Sequence, residues 1–163
     1  RAALGAQIKQ NLNAIGMQVD FNPIGFNTLV EKLTTSLDWE AYLLGFAGSS
    51  IEPNSGANIW LPDGGLHTFN QKPRPGQPAL IGRTVSDWER QIGDLYIQGA
   101  QELDDRKRKE IYGQAQKLVQ ENLPLIYLIN PLSLQAVRDR IEGVQFSALG
   151  GALWNIYELK LTK

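Results

Sequence analysis

Apolar residues near the amino terminus recur with two different periods. In residues 2–15 and 26–37 they stand three or four positions apart, which predicts two amphipathic helices. Residues 17–24 alternate between apolar and polar, as a strand does, and residues 41–46 are apolar on both faces, as in a strand buried between layers. Short links between these elements favour parallel neighbouring strands. The predicted core comprises Leu12, Ile15, Val19, Phe21, Leu29, Leu33, Leu43 and Leu44.

The rest of the chain predicts two more helices and several short strands. Ser86 and Glu89 have the spacing of a capping box, and Asp104 or Asp105 is the expected cap of the next helix. Apolar runs over 125–129, 134–137 and 153–161 predict strands. With 163 residues, the chain is expected to form a single α/β domain (1–163), a mostly parallel sheet flanked by helices.

The polar stretch that follows residues 41–46 is the first candidate site. It leaves the carboxyl end of a predicted central strand, where open α/β sheets bind their ligands. An ordinary solvated loop is the alternative interpretation. The stretch supplies a ring, small polar residues and one carboxylate, from Phe46, Ala47, Gly48, Ser49, Ser50, Glu52 and Asn54.

Residues 47–83 form a long insertion rich in glycine and proline, and a connection of this length is usually functional or mobile. It carries Trp60, which is expected either to anchor the insertion or to stack on a ligand. It also carries His67, the only histidine in the chain. Because no second metal-ligating residue accompanies it, His67 is predicted to be a surface or locally bonded residue, and no metal or other cofactor is expected.

Composition narrows the possible partners. The formal net charge is −1, so nothing draws the chain toward nucleic acid. The basic run at residues 106–109 lies between acidic residues and is predicted to be the solvated face of a helix. No apolar run approaches the ~20 residues that span a bilayer, and there is no cysteine. The chain begins at Arg1 without a signal segment, so a fragment or processed product is expected.

Motifs for catalysis are absent from the sequence. There is no serine–histidine–acid motif, no HExxH and no phosphate-binding loop. Asp38 and Glu40 flank Trp39, and paired carboxylates can act on a glycoside, but a solvated turn before the strand is the simpler interpretation. A hydrolase or transferase with its site in the Gly/Pro-rich insertion stays open as the alternative to a binding protein.

Several phrases, taken in order, resemble one family. Four segments are similar to successive segments of the extracytoplasmic solute-binding proteins of ABC transporters. They are "QIKQNLNAIGMQVDFNPIGFNTLVEKL", "WEAYLLGFAGSSIEP", "RKEIYGQAQKLVQENLPLIYLINP" and "VRDRIEGVQF". The resemblance is to the C-terminal lobe of the oligopeptide- and dipeptide-binding family (bacterial family 5). It covers nearly the whole chain.

The resemblance implies one lobe of a type II periplasmic-binding-protein clamshell. The implied partners are a peptide or other small solute, the permease subunits of an ABC importer and the N-terminal lobe of the same protein. The implied location is periplasmic or extracytoplasmic, with a membrane-anchored lipoprotein as one form. It further implies that the chain returns toward the other lobe, so the terminal strand predicted at 153–161 could belong with that lobe.

The resemblance also suggests where a solute would bind. Alignment on the family pattern puts Ser49 where peptide-binding members carry an aspartate that pairs with the ligand's amine. Phe46 stands where many members have tryptophan, and Glu52 could supply the missing charge. The predicted ligand-binding residues are Phe46, Ala47, Gly48, Ser49, Ser50, Glu52, Asn54 and Trp60.

Overall fold

The computed structural model describes residues 1–46, 51–148 and 150–162. The described residues divide into two compact units. The first unit comprises 1–46 and 53–124, and the second comprises 51–52 and 125–162.

Helices dominate the first unit. They are α1 (Ala2–Ala14), α2 (Phe26–Glu31), α3 (Ala57–Trp60), α4 (Asp87–Gln101) and α5 (Asp105–Asn122). A π-helical turn (Lys32–Ser36) continues α2, and 3₁₀ turns cover Pro53–Gly56 and Thr68–Asn70. In the described ranges the sheet is a single antiparallel pair of two-residue strands, which lies in the second unit. The predicted α/β lobe with a mostly parallel sheet flanked by helices is therefore wrong.

The predicted parallel strands at 17–24 and 41–46 adopt irregular structure instead. A strand requires a neighbour that exchanges main-chain hydrogen bonds with it, and neither segment has one among the described residues. At least one of the alternating apolar residues packs individually on a helix instead of lining a sheet. The Phe21 ring packs so closely on α1 that a Cβ at Gly5 would lie 2.4 Å from it. Of the eight predicted core residues only Leu33 is buried, and Ile15 is 73% exposed.

The core of the first unit lies between α4 and α5. Its buried apolar residues there are Ile92, Tyr112, Ala115 and Val119. Both predicted helix starts are confirmed. The Ser86–Glu89 capping box precedes α4, and Asp104 Oδ1 accepts a hydrogen bond from the Lys107 N–H at 2.9 Å. Among the described residues, no helix has both the length and the hydropathy needed to cross a bilayer.

The second unit is organised around the strand pair and a buried asparagine. Strand β1 (Ile141–Glu142) pairs antiparallel with β2 (Lys160–Leu161). Asn155 is fully buried, and its Nδ2 donates to Gly143 O at 2.9 Å and to Glu158 Oε2 at 3.0 Å. The runs at 125–129 and 134–137 are not strands in this structure, and of 153–161 only the last two residues are. That residues 153–161 belong with another lobe stays a prediction.

Candidate functional site

The predicted ligand-binding residues fall into three groups. Ala47, Gly48, Ser49 and Ser50 lie outside the described residues. Phe46 ends an irregular segment and is 42% exposed. Asn54 lies in the 3₁₀ turn Pro53–Gly56, Trp60 is the last residue of α3, and Glu52 is half-buried in the second unit. The role of these residues in ligand binding stays a prediction.

Trp60 belongs to a cluster of aromatic rings that joins the 57–70 segment to α4. Its ring centroid lies 6.2 Å from that of Phe69 and 6.3 Å from that of Tyr96. Phe69 in turn stacks on Trp88 at 6.1 Å, and Tyr96 meets Tyr112 edge-on at 5.3 Å. Aromatic pairs in such geometries contribute about 0.5–1.5 kcal/mol beyond area burial. The contacts of Trp60 therefore anchor the segment on α4.

A buried pair of hydrogen-bonding side chains, His67 and Glu89, lies beside this cluster. His67 is fully buried, and its Nδ1 lies 2.8 Å from Ile59 O while its Nε2 lies 3.1 Å from Glu89 Oε2. Glu89 is also buried, and its Oε1 accepts the Ser86 N–H at 3.1 Å. The carboxylate that caps α4 therefore also holds the histidine. The sequence predicts a surface or locally bonded histidine, and His67 is bonded but is not at the surface.

Hydrogen-bond chemistry assigns a hydrogen to one ring nitrogen of His67 and a negative charge to Glu89. A carbonyl oxygen can only accept, so His67 Nδ1 carries a hydrogen and donates it to Ile59 O. Burial acts to raise the pKa of the Glu89 carboxyl, but hydrogen bonds from Asn70, His67 and Ser86 outweigh it, and the pKa lies below its usual value. Glu89 is therefore a carboxylate, which accepts from Asn70 Nδ2 and lies against His67 Nε2.

Asn70 and Arg83 extend the polar cluster. Asn70 Nδ2 donates to Glu89 Oε2 at 2.7 Å and to Thr84 O at 2.9 Å. Arg83 Nη2 donates to Asn70 O at 2.9 Å and to Pro62 O at 3.1 Å, and its Nε donates to Asn70 O at 3.2 Å. These bonds fasten the irregular stretch before α4 to the 3₁₀ turn Thr68–Asn70. The segment predicted to be functional or mobile is therefore hydrogen-bonded to the rest of the first unit at these positions.

An open groove of about 370 Å³ lies next to this cluster. Gln71 and Arg83 are among its polar residues, and Trp39 and Phe69 are its aromatic ones. The other residues that line it are Leu37, Thr68, Asn70, Leu80, Ile81 and Gly82. Gln71 and Arg83 are not among the residues predicted from the sequence to form a site. The one sequence feature that could have indicated Arg83 is its position as a single charged residue between Gly82 and Thr84 in an otherwise uncharged stretch.

His67 and Asp38 are both bonded to other residues in the described part of the chain. No group of metal-ligating side chains converges there, and both ring nitrogens of His67 are already hydrogen-bonded. Asp38 bonds to Lys32 Nζ at 2.5 Å. That hydrogen bond and the lysine charge lower the pKa of the Asp38 carboxyl, so Asp38 is the partner of a cation.

Comparison with known proteins gives one relative. The chain is similar to a protein of Deinococcus radiodurans described as a probable ABC transporter-binding protein, with 30% identity over 158 residues. The match covers 88% of this chain and 24% of the relative, so the chain spans about a quarter of the relative's length. No family model matches the chain, and no solved structure matches it significantly.

Proposed function

We propose that the chain is part of the solute-binding receptor of an ABC importer. The observation that carries this proposal is the 30% identity to the Deinococcus radiodurans protein, whose description is that of an ABC transporter-binding protein. The resemblance of several segments to extracytoplasmic solute-binding proteins supports the same class. The chain acts by binding and not by catalysis, and it works outside the cytoplasm as a portion of a longer protein.

The proposed solute is a peptide or another small molecule, which the receptor delivers to the permease. Recognition by such a receptor rests on a largely apolar site with a few polar groups that fix orientation. Phe46 supplies an aromatic surface, since its side chain is 42% exposed. Ser49 aligns with the aspartate of the peptide-binding proteins that the chain resembles. A neutral hydroxyl lacks the charge that pairs with a ligand amine, so we expect the amine to contribute little to affinity.

Paired phenylalanine substitutions in the full-length receptor test the site. Phe46→Ala removes the proposed aromatic surface, and Phe26→Ala removes a comparable ring, 63% exposed, on α2. Calorimetry with the solute that co-purifies is expected to show about a tenfold loss of affinity for Phe46→Ala, the equivalent of about 1.4 kcal/mol. Phe26→Ala should leave affinity unchanged. If both variants bind the solute with equal affinity, Phe46 does not contact the solute.

The identity of the solute is tested separately with a peptide and its N-acetylated form. Because a charge-assisted hydrogen bond is about twice as strong as a neutral one, a receptor with an aspartate at this position prefers the free amine strongly. With Ser49 the two forms are expected to bind within about fivefold of each other. A much larger preference for the free amine, abolished by Glu52→Gln, would assign the charge to Glu52. No binding of either peptide would exclude peptides while leaving other solutes possible.

A further inference from the structure

Residues 39–46 form a strap that few bonds attach to the rest of the first unit. The N–H of Trp39 donates to Leu37 O at 3.2 Å, but no main-chain group of residues 40–46 bonds to another main-chain group in the described part of the chain. The side chains of residues 42–44 are nevertheless half-buried, so the strap lies against the protein. A segment without main-chain hydrogen bonds opens more readily than a helix does. Side-chain contacts therefore hold the strap in place.

Tyr42 anchors the strap near its middle. Its hydroxyl is hydrogen-bonded to Thr68 Oγ1, a buried group in the 3₁₀ turn Thr68–Asn70. That turn is itself fastened to α4, because Asn70 Nδ2 donates to Glu89 Oε2. One hydroxyl contact therefore links the strap to a turn that the helical core holds rigidly.

The backbone at Leu37, just before the strap, has an unfavourable conformation. Its φ is 56°, in the left-handed region, where the Cβ of an L-residue crowds the following carbonyl oxygen. Glycine is the usual residue at such a position after a helix. The preceding turn, Lys32–Ser36, is π-helical, a rare form that is frequent at functional sites. Backbone strain of this kind persists only where surrounding contacts maintain it, so Leu37 favours opening once those contacts are lost.

Lys32 and Asp38 hold the two ends of this strained corner together. Lys32 Nζ donates to Asp38 O at 2.9 Å and to Asp38 Oδ2 at 2.5 Å. We call these two bonds the clasp. The Asp38 side chain is 80% exposed, so water and salt screen the charged pair. The clasp is therefore a weak contact that spans Leu37.

We propose that the strap switches between the docked state described above and an open state, by turning about Leu37. In the open state Leu37 has right-handed backbone, the clasp is broken and Tyr42 has left Thr68. Such an equilibrium shifts toward whichever state a ligand prefers. The consequence for solute binding rests on the proposed function, because the strap ends at Phe46, the first residue of the predicted loop site.

Limited digestion of the full-length protein with thermolysin, without added solute, tests the switch. Cleavage between the half-buried residues Leu43 and Leu44 requires the strap to open, so its rate follows the population of the open state. Tyr42→Phe removes the hydroxyl contact and should raise this rate about fivefold. Tyr157→Phe is the matched control, because Tyr157 is 77% exposed, and it should leave the rate unchanged. A wild-type rate in Tyr42→Phe would overturn the proposal. Because no solute is added, that failure is distinct from a failure of the proposed function, which is measured as solute affinity.

Two substitutions of one residue test the pivot in the same assay. Leu37→Gly and Leu37→Ala both remove the leucine side chain, so the difference between them reports the backbone strain. Leu37→Gly should be cleaved at least about threefold more slowly than Leu37→Ala, because glycine adopts left-handed backbone without a steric cost. Lys32→Met removes the clasp and should raise the rate about twofold, whereas Lys72→Met, whose lysine pairs with exposed Asp63, should not. Equal cleavage of Leu37→Gly and Leu37→Ala would show that Leu37 is not a strained pivot and would refute the switch.

Discussion

His67 Nε2 and Glu89 Oε2 lie 3.1 Å apart in the interior, although the two residues are separated by 22 positions in the sequence. Glu89 also accepts the backbone N–H of Ser86 at the start of α4. One carboxylate therefore caps a helix, pairs with a buried imidazole and bonds to Asn70. The irregular segment that carries Trp60 and His67 is fastened to the helical core through this residue.

Removal of the Glu89 charge is expected to destabilise the chain strongly. In Glu89→Gln the carboxylate that accepts from Asn70 and Ser86 and lies against the buried His67 is lost. Leaving buried polar groups without a matching partner costs about 1–3 kcal/mol in the free energy of unfolding, and more where the lost partner is charged. Asp87→Asn is the matched control, because Asp87 is in the first turn of the same helix and its side chain is 90% exposed. Urea denaturation at neutral pH should show a change within about 0.5 kcal/mol for the control. A Glu89→Gln variant as stable as the control would contradict the assigned role of the Glu89 carboxylate.

The same pair predicts how stability depends on pH. The pKa of Glu89 is lowered below its usual value of 4.5 in the folded chain. Such a carboxyl contributes stability that is complete above the pKa of the unfolded state and is lost as the pH falls through the folded-state pKa. The urea concentration at the unfolding midpoint of the wild-type chain should therefore decrease as the pH falls below about 4.5. For Glu89→Gln the midpoint should decrease less steeply over the same pH range. Parallel curves would show that Glu89 has the same pKa in both states.

The close approach of α4 and α5 depends on Gly99. A Cβ at this position would lie 2.6 Å from the Tyr112 ring, which is buried and cannot easily move away. Gly99→Ala is expected to lower the free energy of unfolding by about 1–3 kcal/mol through overpacking. Gly113→Ala in α5 is the control, since a Cβ there meets nothing within 4 Å. Gly113→Ala should raise the free energy of unfolding by about 0.5–1 kcal/mol. Equal effects of the two substitutions in urea denaturation would contradict the packing.

Sequence patterns predicted the features that depend on neighbouring residues. The starts of α4 and α5 follow from the Ser86–Glu89 spacing and from Asp104, because caps act within one helical turn. The buried residues of α5, Tyr112, Ala115 and Val119, likewise stand three and four positions apart, which is the spacing of one face of a helix. These features depend on residues within one or two helical turns, so the sequence pattern alone was sufficient to predict them.

Features that need a distant partner were not predictable in this way. The alternation at 17–24 has the period of a strand, but a period does not supply the neighbouring strand that sheet formation requires. The partner of His67 is Glu89, which the sequence analysis assigned only to a helix cap. Arg83 and Gln71 border a groove because the chain folds back on Trp39, and no spacing in the sequence indicates that contact.

The central claim is that this chain forms part of a receptor that binds a small solute. Native mass spectrometry of the full-length protein, purified from its natural source without unfolding, tests it most directly. We expect a species heavier than the polypeptide by one small molecule, which is lost after denaturation and is diminished in Phe46→Ala but not in Phe26→Ala. A protein that carries no small molecule, and that gains none when it is returned to a small-molecule extract of the same cells, would contradict the claim.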